Sequence, residues 1–314
     1  MLSRVAERLY WSARYLERIE NIARLLSVYD DLLLDLPRDV KVSWYNLIEI
    51  NGSVADFAKK FDKKNEHNVV RFLLMEEANP SSLLCSLKSL RENIRTTRDV
   101  LPEETWELIN ELDLYAKKHV QKGIQRGNRF QYLNNIIEGC QKVIGLLNNA
   151  MCRDAGWRFM QIGRYLERAD MNTRILDSAI FIKTNASDDE QHLLEPILWP
   201  KVLKSQSGYL GYLRSKRTAI DGKNTVDFLL YDEHFPRSQA FCLQQIRTAM
   251  EKLPRCGSLI EKIECLMGKQ YDTSNEACIN GDLSHYLNEI QLGFISVNAM
   301  VADNWFHFQH GDAA

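Results

Sequence analysis

Ten charged side chains, set out as two copies of one pattern, hold the chemistry this sequence offers. Arg14-Tyr15-Leu16-Glu17-Arg18 recurs letter for letter as Arg164-Tyr165-Leu166-Glu167-Arg168, 150 residues further on. The match runs outward on both flanks. Arg8 answers Arg158, Ala13 answers Gly163, Glu20 answers Asp170, Arg24 answers Arg174 and Leu26 answers Leu176. A repeat of this extent reads as an internal duplication. Arginine stays arginine and acid stays acid between the copies, where a solvated face would drift among polar residues. Arginine in place of lysine points to planar, two-pronged pairing with carboxylate or phosphate.

Helical geometry groups these residues. At about 100° per residue, Asn21 and Arg24 fall within about 40° of Glu17, Arg14 and Glu20 within about 60°, and Arg18 at about 100° on the flank. Glu167 stands in the same relation to Arg164, Asp170 and Arg174, with Arg168 on its flank. Three readings follow. The stripe is a solvated face laced with i,i+3 and i,i+4 ion pairs; or the two helices cross and exchange Arg–Glu pairs; or some arginines line a pocket for an anionic ligand such as a carboxylate, phosphate or acidic peptide. Ala13 and Gly163, beside the stripe, would let the helices approach closely. The crossing and pocket readings both bring Arg14, Glu17, Arg18 and Arg24 together with Arg164, Glu167, Arg168 and Arg174.

The elements that must position the stripes are helices. Gly and Pro are scarce, at 15 and 7 in 314 residues, and no stretch alternates as a strand would. Residues 2–35 predict one long amphipathic helix, with Val5, Leu9, Ser12, Tyr15, Leu16, Ile19, Ala23 and Leu26 on its apolar face and Pro37 as its stop. Shorter helices are expected over 40–50, 53–62 and 67–77. Asn79-Pro80-Ser81-Ser82 opens the next, with Asn79 as cap and Pro80 in the first turn, running to about Val100. Pro102-Glu103-Glu104 starts a helix to about Lys122. Gly123 to Gly127 reads as a break, followed by helices over 128–150 and 155–183. Asn185 to Glu190, Asp221 to Asn224 and Gly268 to Asn280 read as connectors. The last helix spans 283–305, with a fraying tail. The segment from Phe72 to Ser82 realigns with Phe228 to Ser238 at an offset of 156. The expected architecture is all-α: two pseudo-symmetric halves, 1–150 and 151–314, sharing one core as one globular unit. Both segments end in a helix start, Asn79-Pro80-Ser81-Ser82 and Pro236-Arg237-Ser238; helix N-termini attract anions, and Arg237 would help at the second.

Composition excludes several functions. A net charge of −2 gives no general grip on nucleic acid or anionic lipid. The tryptophans lie in apolar stretches, away from basic clusters. Seven cysteines without C-x-x-C spacing suit a reducing compartment. The charged start, Met1 to Arg8, is unlike a signal peptide, and no run is long and apolar enough to span a bilayer. The expectation is a cytoplasmic protein without membrane or nucleic-acid partners. No phosphate loop, G-x-G-x-x-G, H-E-x-x-H or G-x-S-x-G occurs. The histidines are scattered, and Asp303, His307 and His310 in the tail make a poor metal site. No cofactor or metal is expected.

The Arg-Tyr-Leu-Glu-Arg helices, the Asn79-Pro80-Ser81-Ser82 segment leading into Leu90-Arg91-Glu92-Asn93-Ile94-Arg95, and Gln161-Ile162-Gly163-Arg164 together resemble the bacterial alpha-E family. That family is named for an all-helical domain with a repeated Glu-Arg motif, and the resemblance covers nearly the whole chain. His234-Phe235-Pro236-Arg237 departs from the family's usual Asn-Pro-Arg. Membership implies an all-α cytoplasmic protein whose genes commonly lie beside circularly permuted ATP-grasp ligases and transglutaminase-like or proteasome-like hydrolases. That company points to peptide or amide-bond synthesis. The resemblance therefore implies an accessory or carrier for such a ligase. An acyl or aminoacyl transferase with Glu17 or Glu167 as general base, and a purely structural assembly protein, are the alternatives.

Overall fold

The computed structural model describes residues 2–36 and 42–307 and is all-helical, with no strand among those residues. In chain order the helices are α1 (Ser3–Asp35), α2 (Asn46–Ile50), α3 (Val54–Lys60), α4 (Glu66–Met75), α5 (Leu83–Arg95), α6 (Glu104–Ile124) and α7 (Arg126–Ala150). Then follow α8 (Ala155–Thr184), α9 (Asp188–Ser205), α10 (Tyr209–Lys216), α11 (Gly222–Tyr231), α12 (Gln239–Met250), α13 (Gly257–Gly268) and α14 (Gly281–Val301). A π turn, Ala302–Phe306, continues α14. The expected stop at Pro37 and the frayed tail beyond His307 lie outside the described residues. Of the helix expected over 40–50, the described part is helical at Asn46–Ile50.

The two longest helices, α1 and α8, lie against each other at the centre. α5, α7 and α9 pack on α1, while α9, α12 and α14 pack on α8. This enclosure corrects the expectation of a one-sided α1. Leu9, Leu16, Ile19, Ala23 and Leu26 are buried as expected, but so are Tyr10, Ala13, Ile22, Leu25 and the polar Glu17, Glu20 and Asn21. A helix covered on several sides buries its charged stripe too, and those charges must then find partners.

Helix ends follow local chemistry, with departures from the expected positions. α5 is capped by Ser82, whose hydroxyl accepts from the Cys85 amide (3.4 Å). Asn79 is instead buried and holds the turn before it, donating to the Phe72 carbonyl (3.2 Å) and accepting from the Ser81 amide (3.0 Å). α5 stops at Arg95, and only a short 3-10 turn, Arg98–Val100, occupies the rest of the predicted span. The break expected over 123–127 shrinks to Gln125. Gly123 is there for packing: a Cβ would stand 2.4 Å from the Tyr132 ring. Two expected connectors contain helix starts. Asp221 caps α11 by accepting from the Asn224 amide (2.7 Å), and Ser187 with Glu190 forms a capping box on α9.

Ser238 caps α12 as Ser82 caps α5, accepting from the Phe241 amide (3.1 Å). Both serines are fully buried. Replacing either by alanine is expected to cost about 1 kcal/mol, read as a lowered urea midpoint with an unchanged m-value. An unchanged midpoint would deny the caps any energetic role.

Candidate functional site

α1 and α8 touch backbone to side-chain root where Gly163 meets Tyr10. A Cβ at Gly163 would stand 2.3 Å from the Tyr10 carbonyl oxygen. Ala13, close by in sequence, is buried as well. The small residues thus permit the approach that brings the two Arg-Tyr-Leu-Glu-Arg segments together, and each segment's glutamate takes the other's arginine.

Glu17 is the closed half of this network. Its side chain has no exposed surface. Arg168 of α8 grips it two-pronged, from Nε to Oε1 (2.9 Å) and from Nη2 to Oε2 (2.8 Å). Arg237, just before α12, adds Nη1 to Oε1 (2.7 Å) and reaches on to Asn21 (3.0 Å) and Glu20 (3.3 Å). Burial alone pushes the Glu17 carboxyl up. The Arg168 and Arg237 guanidinium groups outweigh it and hold the pKa at about 2.

Glu167 is the open half. Arg14 Nε donates to Oε2 (2.7 Å), and Arg18 donates from Nε to Oε1 (2.6 Å) and from Nη2 to Oε2 (3.1 Å). Here too burial raises the pKa, and Arg18 and Arg14 bring it down to about 2. Arg14 also donates to Asn298 of α14 (2.6 Å), which accepts from the Tyr10 hydroxyl (2.7 Å). The tyrosine of each motif has a part as well. Arg18 stacks over Tyr15 at 5.7 Å and Arg168 over Tyr165 at 5.4 Å, within cation–π range.

Above Glu167 lies a cavity of about 230 Å³. Arg14, Arg18 and Arg174 line it against two acids, Glu167 and Asp170, and Asn51, Ser81 and Asn298 complete its polar wall. Arg174 rests on Gly52, whose φ of +64° lies in the left-handed region; a Cβ there would come within 3.0 Å of Arg174 Nη1. A larger cavity, about 980 Å³, lies among α11, α12 and the loop after α13, with none of the ten charged residues in its wall.

Not every expected member joins the crossing. Arg24 pairs within its own helix with Glu20 (2.6 Å), and Arg174 likewise with Asp170 (2.9 Å). Arg164 is buried and donates to Asn148 of α7 (3.3 Å), with no carboxylate partner among the described residues. Burial, with the like charge of Arg168, lowers its pKa. Arg237, expected at a helix start that could hold an anion, is committed to Glu17. The stripes are not a solvated face. Asn298 and Asn51 were not legible as site residues, and Ser81 only as part of a repeated helix start, because nothing local in the sequence ties them to motifs so distant in the chain.

A family model matches residues 1–306; its family is described as a predicted alpha-helical domain with a conserved ER motif. The chain belongs to the alpha-E family. Glu17-Arg18 and Glu167-Arg168 are the Glu-Arg pairs of this alpha-E chain that exchange partners between α1 and α8. It is 24% identical over 269 residues to an uncharacterised protein of Mycobacterium bovis, and 23% identical over the same length to an uncharacterised protein of Mycobacterium tuberculosis H37Rv. In each case the match covers 80% of this chain and 30% of the relative, so this chain spans under a third of the length of those proteins. No solved structure matches. Among the described residues, no helix is long and apolar enough to cross a membrane, and no group of three or more His, Cys, Asp or Glu is placed to hold a metal.

Proposed function

We propose that this protein is a cytoplasmic, non-catalytic accessory or carrier in an ATP-grasp-ligase-associated, amide-bond-forming system. It binds an anionic ligand in the cavity above Glu167. The cavity's three arginines against two acids are the observation that carries the ligand reading. The ligase, or a transglutaminase-like protein, enters as partner from the family resemblance. The relatives, in which this region is 30% of a longer chain, support a domain that works joined to or beside another.

The chain reads as a duplicated unit with pseudo-symmetric halves, 1–150 and 151–314. The reciprocal Glu–Arg exchange and the caps Ser82 and Ser238 support that reading. The Glu17 half favours a structural role for its own part of the network, since every carboxylate contact there is internal. The transferase alternative fares worse. A general base works best with a pKa near the operating pH, and Glu17 and Glu167 are both held at about 2.

Calorimetric titration tests the ligand reading with N-acetylglycine and its neutral amide. The carboxylate is expected to bind saturably and the amide not. Arg18→Gln removes a charge-assisted contact of about 1.5–3 kcal/mol, so binding should weaken about 10- to 100-fold. Equal behaviour of acid and amide would refute the anion site. Co-purification with an ATP-grasp ligase from the native host tests the partner.

A further inference from the structure

Arg174 belongs to the walls of two cavities. A second cavity of about 230 Å³ has Arg174 as a common wall and runs on between α8 and α14. Its charge balance is reversed. Glu49 and Asp177 face it, with Arg174 the single cation. Glu49 accepts from Asn46 (3.0 Å), and Asp177 accepts from the Ser284 hydroxyl; neither acid has a cation partner among the described residues. The two cavities therefore present a positive end and a negative end along one pair of helices.

Apolar side chains flank the path: Ile295 at the first cavity is 59% exposed and Phe181 at the second is 56% exposed. Asp170 and Asp177 are two turns apart on α8, about 10 Å along its axis. Three extended residues span about the same length.

We propose that the two cavities form one groove for a short zwitterionic peptide. Its free carboxylate lies toward Arg18 and Arg174, and its free ammonium toward Asp177 and Glu49. This rests on the anion-site reading and adds the amine end and the length. Nothing is cleaved or formed in the groove; the peptide is held.

Titration with trialanine, N-acetyltrialanine and trialaninamide tests the proposal. Trialanine is expected to bind saturably. Acetylation and amidation should each weaken binding at least tenfold. Asp177→Asn should weaken trialanine and leave N-acetyltrialanine unchanged, because the acetylated peptide has no charge for Asp177 to meet. If N-acetyltrialanine binds as well as trialanine, the zwitterion proposal is overturned while the anion site stands. If trialaninamide binds as well as trialanine, or none of the three binds, both are overturned.

Discussion

Glu17→Gln is expected to destabilise the protein by about 3–5 kcal/mol in urea unfolding, the range for breaking a buried ion pair from one side. Glutamine keeps the shape and removes the charge. Arg168 loses its two-pronged partner, and Arg237 is left with Glu20 and Asn21. Neither arginine can turn to water, because both are more than nine-tenths buried. The same substitution should change the acid limb of the stability curve. Glu17 and Glu167 have folded pKa values of about 2, below the ordinary 4.5. A depressed carboxylate contributes its full stability above the unfolded pKa and loses it as pH falls through the folded one. Stability should therefore decline from about pH 4.5 toward pH 2, and decline less steeply in Glu17→Gln. A variant that unfolds at the wild-type urea concentration would show that the arginines need no carboxylate there.

Gly163→Ala is the second large effect, at the upper end of the 1–3 kcal/mol typical of overpacking. The added methyl would meet a backbone oxygen at 2.3 Å, so no side-chain rotation relieves it, and α1 and α8 must part. Parting them also loosens Arg14 and Arg18 on Glu167, so carboxylate binding should weaken together with stability. Gly145 is the control. It is exposed within α7, with nothing within 4 Å of its Cβ position. Alanine there should stabilise by about 0.5–1 kcal/mol through helix propensity. A destabilised Gly145→Ala, or a neutral Gly163→Ala, contradicts this packing argument.

The sequence made the crossing legible because two distant segments kept the same residue types, and types kept without an exposed reason point to a shared contact. It misplaced Arg24 for a geometric reason. A helical wheel puts Arg24 beside Glu17 in angle, yet seven residues carry it about 10 Å along the axis. That is beyond the crossing, so Arg24 turns to Glu20 one turn back, and Arg174 to Asp170. Arg237 was visible only as a helix-start arginine, because its partner Glu17 is 220 positions away in the chain. The helices themselves were legible from periodicity. Their ends were less so: Asn79 and Ser82 are both good caps, and the choice fell to Ser82 once burial committed Asn79 to Phe72. The charged wall of the cavity, Arg14, Arg18, Glu167, Asp170 and Arg174, was legible as a candidate pocket, but its remaining polar wall was not, since Asn51, Ser81 and Asn298 come from three separate elements.

The central claim is that the two identical motifs do different work: Glu17 closes an internal bridge, and Glu167 forms the floor of a site open to anions. Urea midpoints of Glu17→Gln and Glu167→Gln, each measured in rising acetate at constant ionic strength set with chloride, test it most directly. In Glu167→Gln, acetate can reach the freed Arg14 and Arg18 through the cavity, so the lost stability should return in proportion to log acetate. In Glu17→Gln, Arg168 and Arg237 are enclosed, so acetate should restore nothing. Equal rescue of both variants, or of neither, would contradict the division between a closed half and an open one.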